Sequence, residues 1–313
     1  MAEARFATLI STAKDFNVTL VIVMELPLDQ VRTLLTVVDE GTFDAAAAVL
    51  HVTPSAVSQR VKALEQRTGS VLVTRTKPVG LTESGQVVVR FARRLAALEQ
   101  DARAELSGAG EPVRVPIAVN ADSLATWFLA ALARVPDVCF ELHREDQDHT
   151  TTLLREGTVM AAVTSSATAV QGCSVRPLGH LRYLPLASPA FASRWLTGSL
   201  LEDLARAPVV MFDRRDDLQD RFIRSLGGER ASELRHYVPA SDVFVAAVAE
   251  GLGWGMVPAE QAAQRLRSGA LTALAPPRVV EVPLYWQQWK LDLPALSAVA
   301  TAVAGAAATS LHG

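Results

Sequence analysis

The stretch Asp44-Ala-Ala-Ala-Ala-Val-Leu-His-Val-Thr-Pro-Ser-Ala-Val-Ser-Gln-Arg-Val-Lys-Ala-Leu-Glu65 decides how the first part of the chain folds. Four consecutive alanines, Ala45 to Ala48, let a neighbouring helix come close. His51-Val52-Thr53 then breaks the helical pattern. Thr53 has the hydroxyl of an N-cap, and Pro54 falls at the first helical position, where its missing N–H costs nothing. On the helix that follows, to about Thr68 with Gly69 as its stop, Val57, Val61 and Leu64 share one face. Ser55, Ser58, Gln59 and Lys62 share the other. Two helices about a tight turn, the second polar on its outer face, predict a helix-turn-helix. Serines and a glutamine early in such a helix can reach base edges and phosphates in a DNA major groove.

Working upstream, Leu28, Val31, Leu34, Leu35 and Val38 follow helical spacing and Gly41 stands where a helix ends. Thr42 offers a cap for the short helix from Asp44 to Leu50. Residues 1 to 25 fit none of this patterning and read as a leader or a loosely ordered arm, with Met24 a candidate start. Working downstream, Val71-Leu72-Val73 and the run near Val79-Gly80-Leu81, with Lys77-Pro78 between them, predict a two-stranded wing. Thr82 caps a long helix from Glu83 to about Leu106. Its apolar stripe of Val87, Val88, Phe91, Leu95 and Leu98 suits pairing with a partner helix. The linker Ser107-Gly-Ala-Gly-Glu-Pro112 follows.

Charge sharpens the nucleic-acid reading. The chain is acidic overall, with net charge −3 and a pI near 6.1. Between His51 and Gly80, however, Arg60, Lys62, Arg67, Arg75 and Lys77 face a single acid, Glu65. A local basic patch is what phosphate contact needs, whatever the total charge. The expected DNA-facing residues are therefore Thr53, Pro54, Ser55, Ser58, Gln59, Arg60, Lys62, Arg75 and Lys77.

Beyond Pro112 the pattern changes to alternating strands and helices. Strands at Val113 to Val119, Cys139 to His143 and Val159 to Thr164 enclose helices at Ser123 to Arg134 and Thr150 to Glu156, which implies a parallel sheet. A second block holds strands at Pro208 to Phe212 and Gly255 to Pro258, with helices at Asp217 to Leu226 and Asp242 to Glu250. Two such lobes hold a small ligand in the crevice between them. The domain reading is 26–82 winged helix-turn-helix, 83–111 linker helix and 112–313 ligand domain. In the last, one lobe covers about 112–184 and 276–313 and the other about 185–275. An Ala-rich helix from Ala295 to Ala308 closes the chain.

In the predicted crevice, Asn120-Ala-Asp-Ser lies between strand and helix, so a ligand carboxylate would meet free N–H groups in the helix first turn. Ser123 and Thr126 add hydroxyls, and Thr164 ends a strand on the same edge. Asp122, Glu145, Asp146 and Asp242 cluster there, and a cationic amine leaving water needs such a carboxylate. Asp at a helix start is also a routine cap, so Asp242 reads either way. Trp127 and Trp254 read as core in preference to ligand platforms.

Several classes are excluded. Six scattered histidines form no HExxH, and neither GxSxG nor a P-loop is present, so no enzyme and no cofactor are expected. Cys139 and Cys173 make no metal spacing, and a reducing compartment suits them. The most apolar N-terminal run, Val18 to Met24, is far short of the ~20 residues a spanning helix needs and lacks a cleavage site, so neither membrane nor secretion is expected.

With these residues in view, the sequence resembles the LysR-type transcriptional regulators. The likeness is carried by Phe43-Asp44-Ala45-Ala46, by Pro54 to Glu65, by Gly69, by Leu72-Val73-Thr74-Arg75 and by Leu81-Thr-Glu-Ser-Gly85. Asn120-Ala-Asp-Ser-Leu-Ala-Thr-Trp-Phe-Leu, Glu145-Asp146, Ala187-Ser-Pro-Ala-Phe, Gly251-Leu-Gly-Trp-Gly-Met-Val-Pro and Leu284-Tyr-Trp-Gln-Gln-Trp look like its lysine/arginine-export regulators. The resemblance implies a winged helix-turn-helix with a dimerising linker helix, and a two-lobed α/β effector domain like periplasmic solute-binding proteins. It also implies operator DNA and a basic amino acid as partners, dimers or tetramers, an exporter gene under control, RNA polymerase as a further open partner, and a cytoplasmic setting. A regulator of another small-molecule pathway is the neighbouring alternative; a solute-binding protein or an enzyme would be a different class.

Overall fold

The structure is a computed structural model that describes residues 25–107, 112–145 and 150–313. The expected leader apart from Glu25, most of the linker, and Asp146 lie outside the described residues. The chain divides into two compact units, one ending at Val88 and the other beginning at Val89.

The first unit is built from α1 (Leu28–Glu40), α2 (Phe43–Val49) and α3 (Pro54–Thr68). Threonine caps set two of the three starts. Thr42 Oγ1 accepts from the Ala45 N–H at 3.1 Å and Thr53 Oγ1 from the Ala56 N–H at 3.2 Å. Gly41 and Gly69 end α1 and α3 at φ 71° and 65°, a region where a side chain would be strained. Val31, Leu34, Val37, Ala46, Val57, Val61 and Leu64 are buried where the three helices meet. Each larger member contributes ~1.5–3 kcal/mol by leaving water.

The wing's first strand starts two residues later than the sequence suggested, and its second falls within the expected run. β1 (Val73–Thr74) pairs antiparallel with β2 (Gly80–Leu81), Val73 opposite Leu81. Leu72 is wholly buried, and its N–H donates to Glu65 Oε1 at 2.8 Å instead of joining the ladder. At the start of α4 (Glu83–Ser107), Thr82 Oγ1 donates to the Val71 carbonyl at 2.6 Å and accepts from the Gly85 N–H at 3.0 Å. Any Cβ at Gly85 would collide with the Leu72 carbonyl oxygen, so the close approach of helix to wing requires glycine.

On α4 the expected stripe separates into two faces. Val87, Phe91 and Leu98 are exposed, at 55%, 41% and 42%, and Leu95 is half-buried. Val88 is buried at 6%, beside the fully buried Val89, so it belongs to the chain's own core and not to the exposed stripe. Within the second unit, three successive arginines of α4 hold backbone carbonyls. Arg90 donates to Arg155 O, Arg93 to Glu156 O, and Arg94 to Gly172 O, with the Arg94 guanidinium 5.5 Å from the Trp289 ring centre.

The second unit has β3 (Val113–Val119) parallel to both β4 (Val138–Arg144) and β5 (Ala161–Thr164), joined by α5 (121–132) and α6 (Thr150–Glu156). α5 contains a π-helical turn at Leu124–Phe128. Two long strands then depart from the expected pattern. β6 (Cys173–Ala187) and β11 (Val280–Trp289) run antiparallel along most of their length, and β11 also pairs with β5. The far end of β6 pairs with β9 (Gly255–Pro258) and with β10 (Thr272–Ala273). One sheet thus runs β10–β6–β11–β5–β3–β4, and β6 belongs to both lobes. The second lobe opens with α7 (Pro189–Trp195) and α8 (Leu200–Arg206) and adds β7 (Val209–Met211) parallel to β8 (Arg235–Tyr237), with α9 (Leu218–Ser225), α10 (Ser241–Ala249) and α11 (Ala259–Arg267) around them. The closing helix is Pro294–Ser310. Trp127, Trp254 and Trp289 all sit in the apolar core, at 2%, 0% and 1% exposure. Among the described residues no helix is long and apolar enough to cross a membrane.

Candidate effector cleft and nucleic-acid face

On the first unit, the polar face of α3 is open. Thr53, Pro54, Ser55, Ser58, Gln59 and Lys62 are exposed, as are Arg75 and Lys77 of the wing; Arg60 is half-buried. The lone acid of the segment is turned inward. Glu65 Oε1 takes the Leu72 N–H, so its carboxylate serves the wing's attachment and does not interrupt the cationic face.

On the second unit, a cavity of about 290 Å³ is walled by both lobes. From the first lobe come Asn120, Asp122 and Glu145; Tyr183 comes from β6; the segment Phe212 to Arg221 comes from the second lobe. Five carboxylates, of Asp122, Glu145, Asp213, Asp216 and Asp217, share it with the guanidinium groups of Arg215 and Arg221. Phe244 and Met256 supply apolar wall.

Asp122 is the most heavily engaged of these. The Tyr183 hydroxyl donates to its Oδ2 at 2.7 Å, and Ser241 Oγ at the start of α10 lies 2.6 Å from its Oδ1. Desolvation raises the Asp122 carboxyl above its ordinary value, outweighing the lowering effect of these two contacts. Burial also raises Asp216, against the backbone N–H groups of Phe212 and Leu218 that donate to it, and the Asp122 charge adds to the rise. The Tyr183 hydroxyl is pushed well up by burial and by Asp122.

Of the residues expected to meet a ligand, the structure brings Asp122 and Glu145 to the cavity, and Asp146 lies outside the described residues. Four others stand elsewhere. α5 begins at Ala121, two residues earlier than expected, because Asn120 is its cap. Asn120 Oδ1 accepts the Ser123 N–H at 2.8 Å, so that N–H is taken, and Ser123 is wholly buried behind the wall. Thr126 Oγ1 donates back along its own helix to the Asp122 carbonyl at 2.6 Å. Thr164 is wholly buried, its Oγ1 accepting the Ser166 N–H. Asp242 is exposed, accepts from Gln261 Nε2 at 2.9 Å and lines a separate groove with Gln264 and Arg265.

What sequence reasoning missed is Tyr183, the loop Asp213 to Asp217, and the side-chain roles of Asn120 and Ser241, whose helix starts it had aimed at the crevice. Asn120 is buried at 4%, and its Nδ2 has no partner in the structure. It is therefore a buried donor on a residue that lines the cavity, and the neighbouring Ser123 hydroxyl is likewise buried without a partner in the structure.

Comparison with known proteins bears on both units. Residues 28–86 match the bacterial regulatory helix-turn-helix family of lysR type, and residues 113–308 match the LysR substrate binding domain. The lysine export transcriptional regulatory protein LysG of Corynebacterium glutamicum is 41% identical over 291 residues, 90% of this chain and 98% of that protein. The crystal structure of ArgP from Mycobacterium tuberculosis is 45% identical, with a TM-score of 0.88 over 92% of this chain and all of that one. Full-length LysG from C. glutamicum with bound effector Arg is 40% identical, with a TM-score of 0.80 over the same shares. With both family matches together covering most of its length, this chain belongs to the LysR family of transcriptional regulators.

Proposed function

We propose that this regulator reads operator DNA with α3 and the wing, responds to lysine or arginine in the interlobe cleft, and controls an amino-acid exporter gene from the cytoplasm. The observation that carries the effector reading is the cavity's excess of carboxylates over guanidinium groups. A diamino acid has one anionic end and two cationic groups, so this imbalance matches its charge, and a water-poor site makes each match stronger. Asp122, Glu145 and Asp216 are the partners for the cations, with Asp146 next to Glu145 in sequence. Arg221 and Asn120 Nδ2 are the donors for the carboxylate. A related regulator of 40% identity holding arginine supports the same choice.

For assembly, the exposed Val87, Phe91 and Leu98, with Leu95, are the dimer seam in this reading. Apolar side chains repeating along one helix face gain by covering one another. Two reading heads then meet two half-sites. Calorimetry with arginine and with norleucine, an analogue whose side chain carries no charge, tests the effector reading. Glu145→Gln should weaken arginine by ~1.5–3 kcal/mol, the scale of a charge-assisted hydrogen bond, and norleucine far less. Equal losses would show that Glu145 does not meet the cation.

A further inference from the structure

The Asp122 network has more acceptors than donors unless the carboxyl itself carries a hydrogen. Ser241 Oγ lies 2.6 Å from Asp122 Oδ1 and 3.1 Å from Gln261 Oε1, and a hydroxyl has one hydrogen to give. The Gln261 amide cannot be turned over to help. Its Nε2 donates to Asp242 Oδ1 at 2.9 Å, and reversal would set two oxygens against each other. Asp122 Oδ1 and Gln261 Oε1 therefore compete for the single Ser241 hydrogen. Both Ser241 contacts are satisfied together when Asp122 Oδ1 carries a hydrogen and gives it to Ser241 Oγ, which passes its own to Gln261, while Oδ2 accepts from Tyr183.

From this geometry we infer that Asp122 is protonated in this arrangement of the lobes, bridging α5 to Ser241 of α10, and that a basic amino acid binds by exchange for that proton. The inference rests on the cleft being the basic-amino-acid site. In the exchange the Asp122 Oδ1–H bond breaks and the proton passes to solvent buffer. The carboxylate so formed accepts a hydrogen bond from the entering ammonium or guanidinium group, and total charge in the cleft is conserved.

The surroundings favour exchange at Asp122 over its neighbours. Facing it are Tyr183 from β6, Glu145 on its own lobe, and Asp216 and Arg221 across the cavity, with Asp213, Arg215 and Asp217 on the same loop and Asp242 beyond Gln261. Asp216 accepts from two backbone N–H groups, which stabilise its ionised form. Asp122 has no backbone donor among the contacts described, and its burial already raises its carboxyl.

Titration calorimetry of the full chain with L-arginine, between pH 5 and pH 8 in buffers of different ionisation enthalpy, tests this. We expect proton release on binding, and an affinity that rises with pH by up to about tenfold per unit while Asp122 holds its proton. Asp122→Asn keeps the latch, since the amide donates to Ser241 and accepts from Tyr183, so its fold should persist. It should bind arginine with about tenfold or greater loss and release no proton. Arginine binding with no proton exchange at any pH would overturn the inference and leave the effector site standing. Release that persists in Asp122→Asn would move the proton to another group and overturn it too. No arginine binding at all would overturn the effector reading, and the inference with it.

Discussion

Glu65 shows how one side chain separates two readings of the same segment. By composition it is an acid in a cationic stretch; by geometry its carboxylate is spent on the Leu72 N–H, leaving Gln59, Lys62, Arg75 and Lys77 as the exposed polar face. Side chains on that face divide by what they meet. A glutamine early in a recognition helix can pair with a base edge, whereas an arginine on a wing meets phosphate. Gln59→Ala should therefore cost ~1–3 kcal/mol on the specific operator only, and Arg75→Ala should weaken all duplexes alike and reduce the salt slope by about 1. Binding to operator and scrambled duplex across a salt series distinguishes the two. An unchanged specificity ratio in Gln59→Ala would remove the base contact from Gln59.

At the same scale, legibility followed chemistry that is local in sequence. Thr42, Thr53 and Thr82 each cap a helix that the next residues begin, so their roles were readable. The Ser123 N–H was counted as free, but the capping is done by Asn120, three residues earlier, which takes it. The run Asp213-Arg-Arg-Asp-Asp217 reads as a solvated turn, and only tertiary folding brings it to face Asp122. The helix start at Asp242 was legible, but not the preceding Ser241 as a partner of Asp122, 119 residues away.

Among the elements, α4 carries two different jobs on two faces. Val88 and Val89 anchor it to the chain's own core, while Phe91 and Leu98 are left exposed on another side. A pattern of apolar spacing alone cannot divide such a helix, because both faces repeat at nearly the same period. Phe91→Asp should leave each chain folded, since the position is 41% exposed, and convert dimers to monomers in sedimentation with loss of operator binding. Retained dimers would assign the seam elsewhere. Strand β6 was illegible for another reason. Pro177, Gly179 and Pro185 interrupt its 15 residues, and its length is set by pairing with β11, about a hundred residues on. Strands β3 to β5, short and bounded by turns, needed no such partner to be seen.

For the whole molecule, the acids divide by the sign of their shift. Asp122, Asp216 and Glu260 are raised by burial, so the stability they contribute is present at low pH and is lost as pH rises from the unfolded carboxyl range through their folded values. Asp203 is lowered first by the Gly198 N–H that donates to it, and Glu281 first by its hydrogen bond with Arg182. Both act in the opposite sense, their contribution being lost as pH falls. The cleft is thus the part that alkali weakens. Asp122→Asn should gain stability relative to the parent chain as pH rises from about 4 toward 8, the unfolded carboxylates titrating near the lower end. Denaturant titrations at a series of pH values measure this, and a difference independent of pH would mean that Asp122 keeps its ordinary titration.

The cap of α5 has a last consequence, for how such a protein could change its ligand. Asn120, which lines the cavity, uses its oxygen to hold a helix and leaves its nitrogen buried and unpartnered. Aspartate has the same outline, and its second oxygen would stand where that nitrogen stands. The helix would keep its cap while the wall exchanged a donor for an acceptor, which repels an anionic group as readily as the amide attracts one. Scaffold and selectivity are thereby divided between two atoms of one side chain, and a single nucleotide change in an Asn codon suffices to alter the second without touching the first.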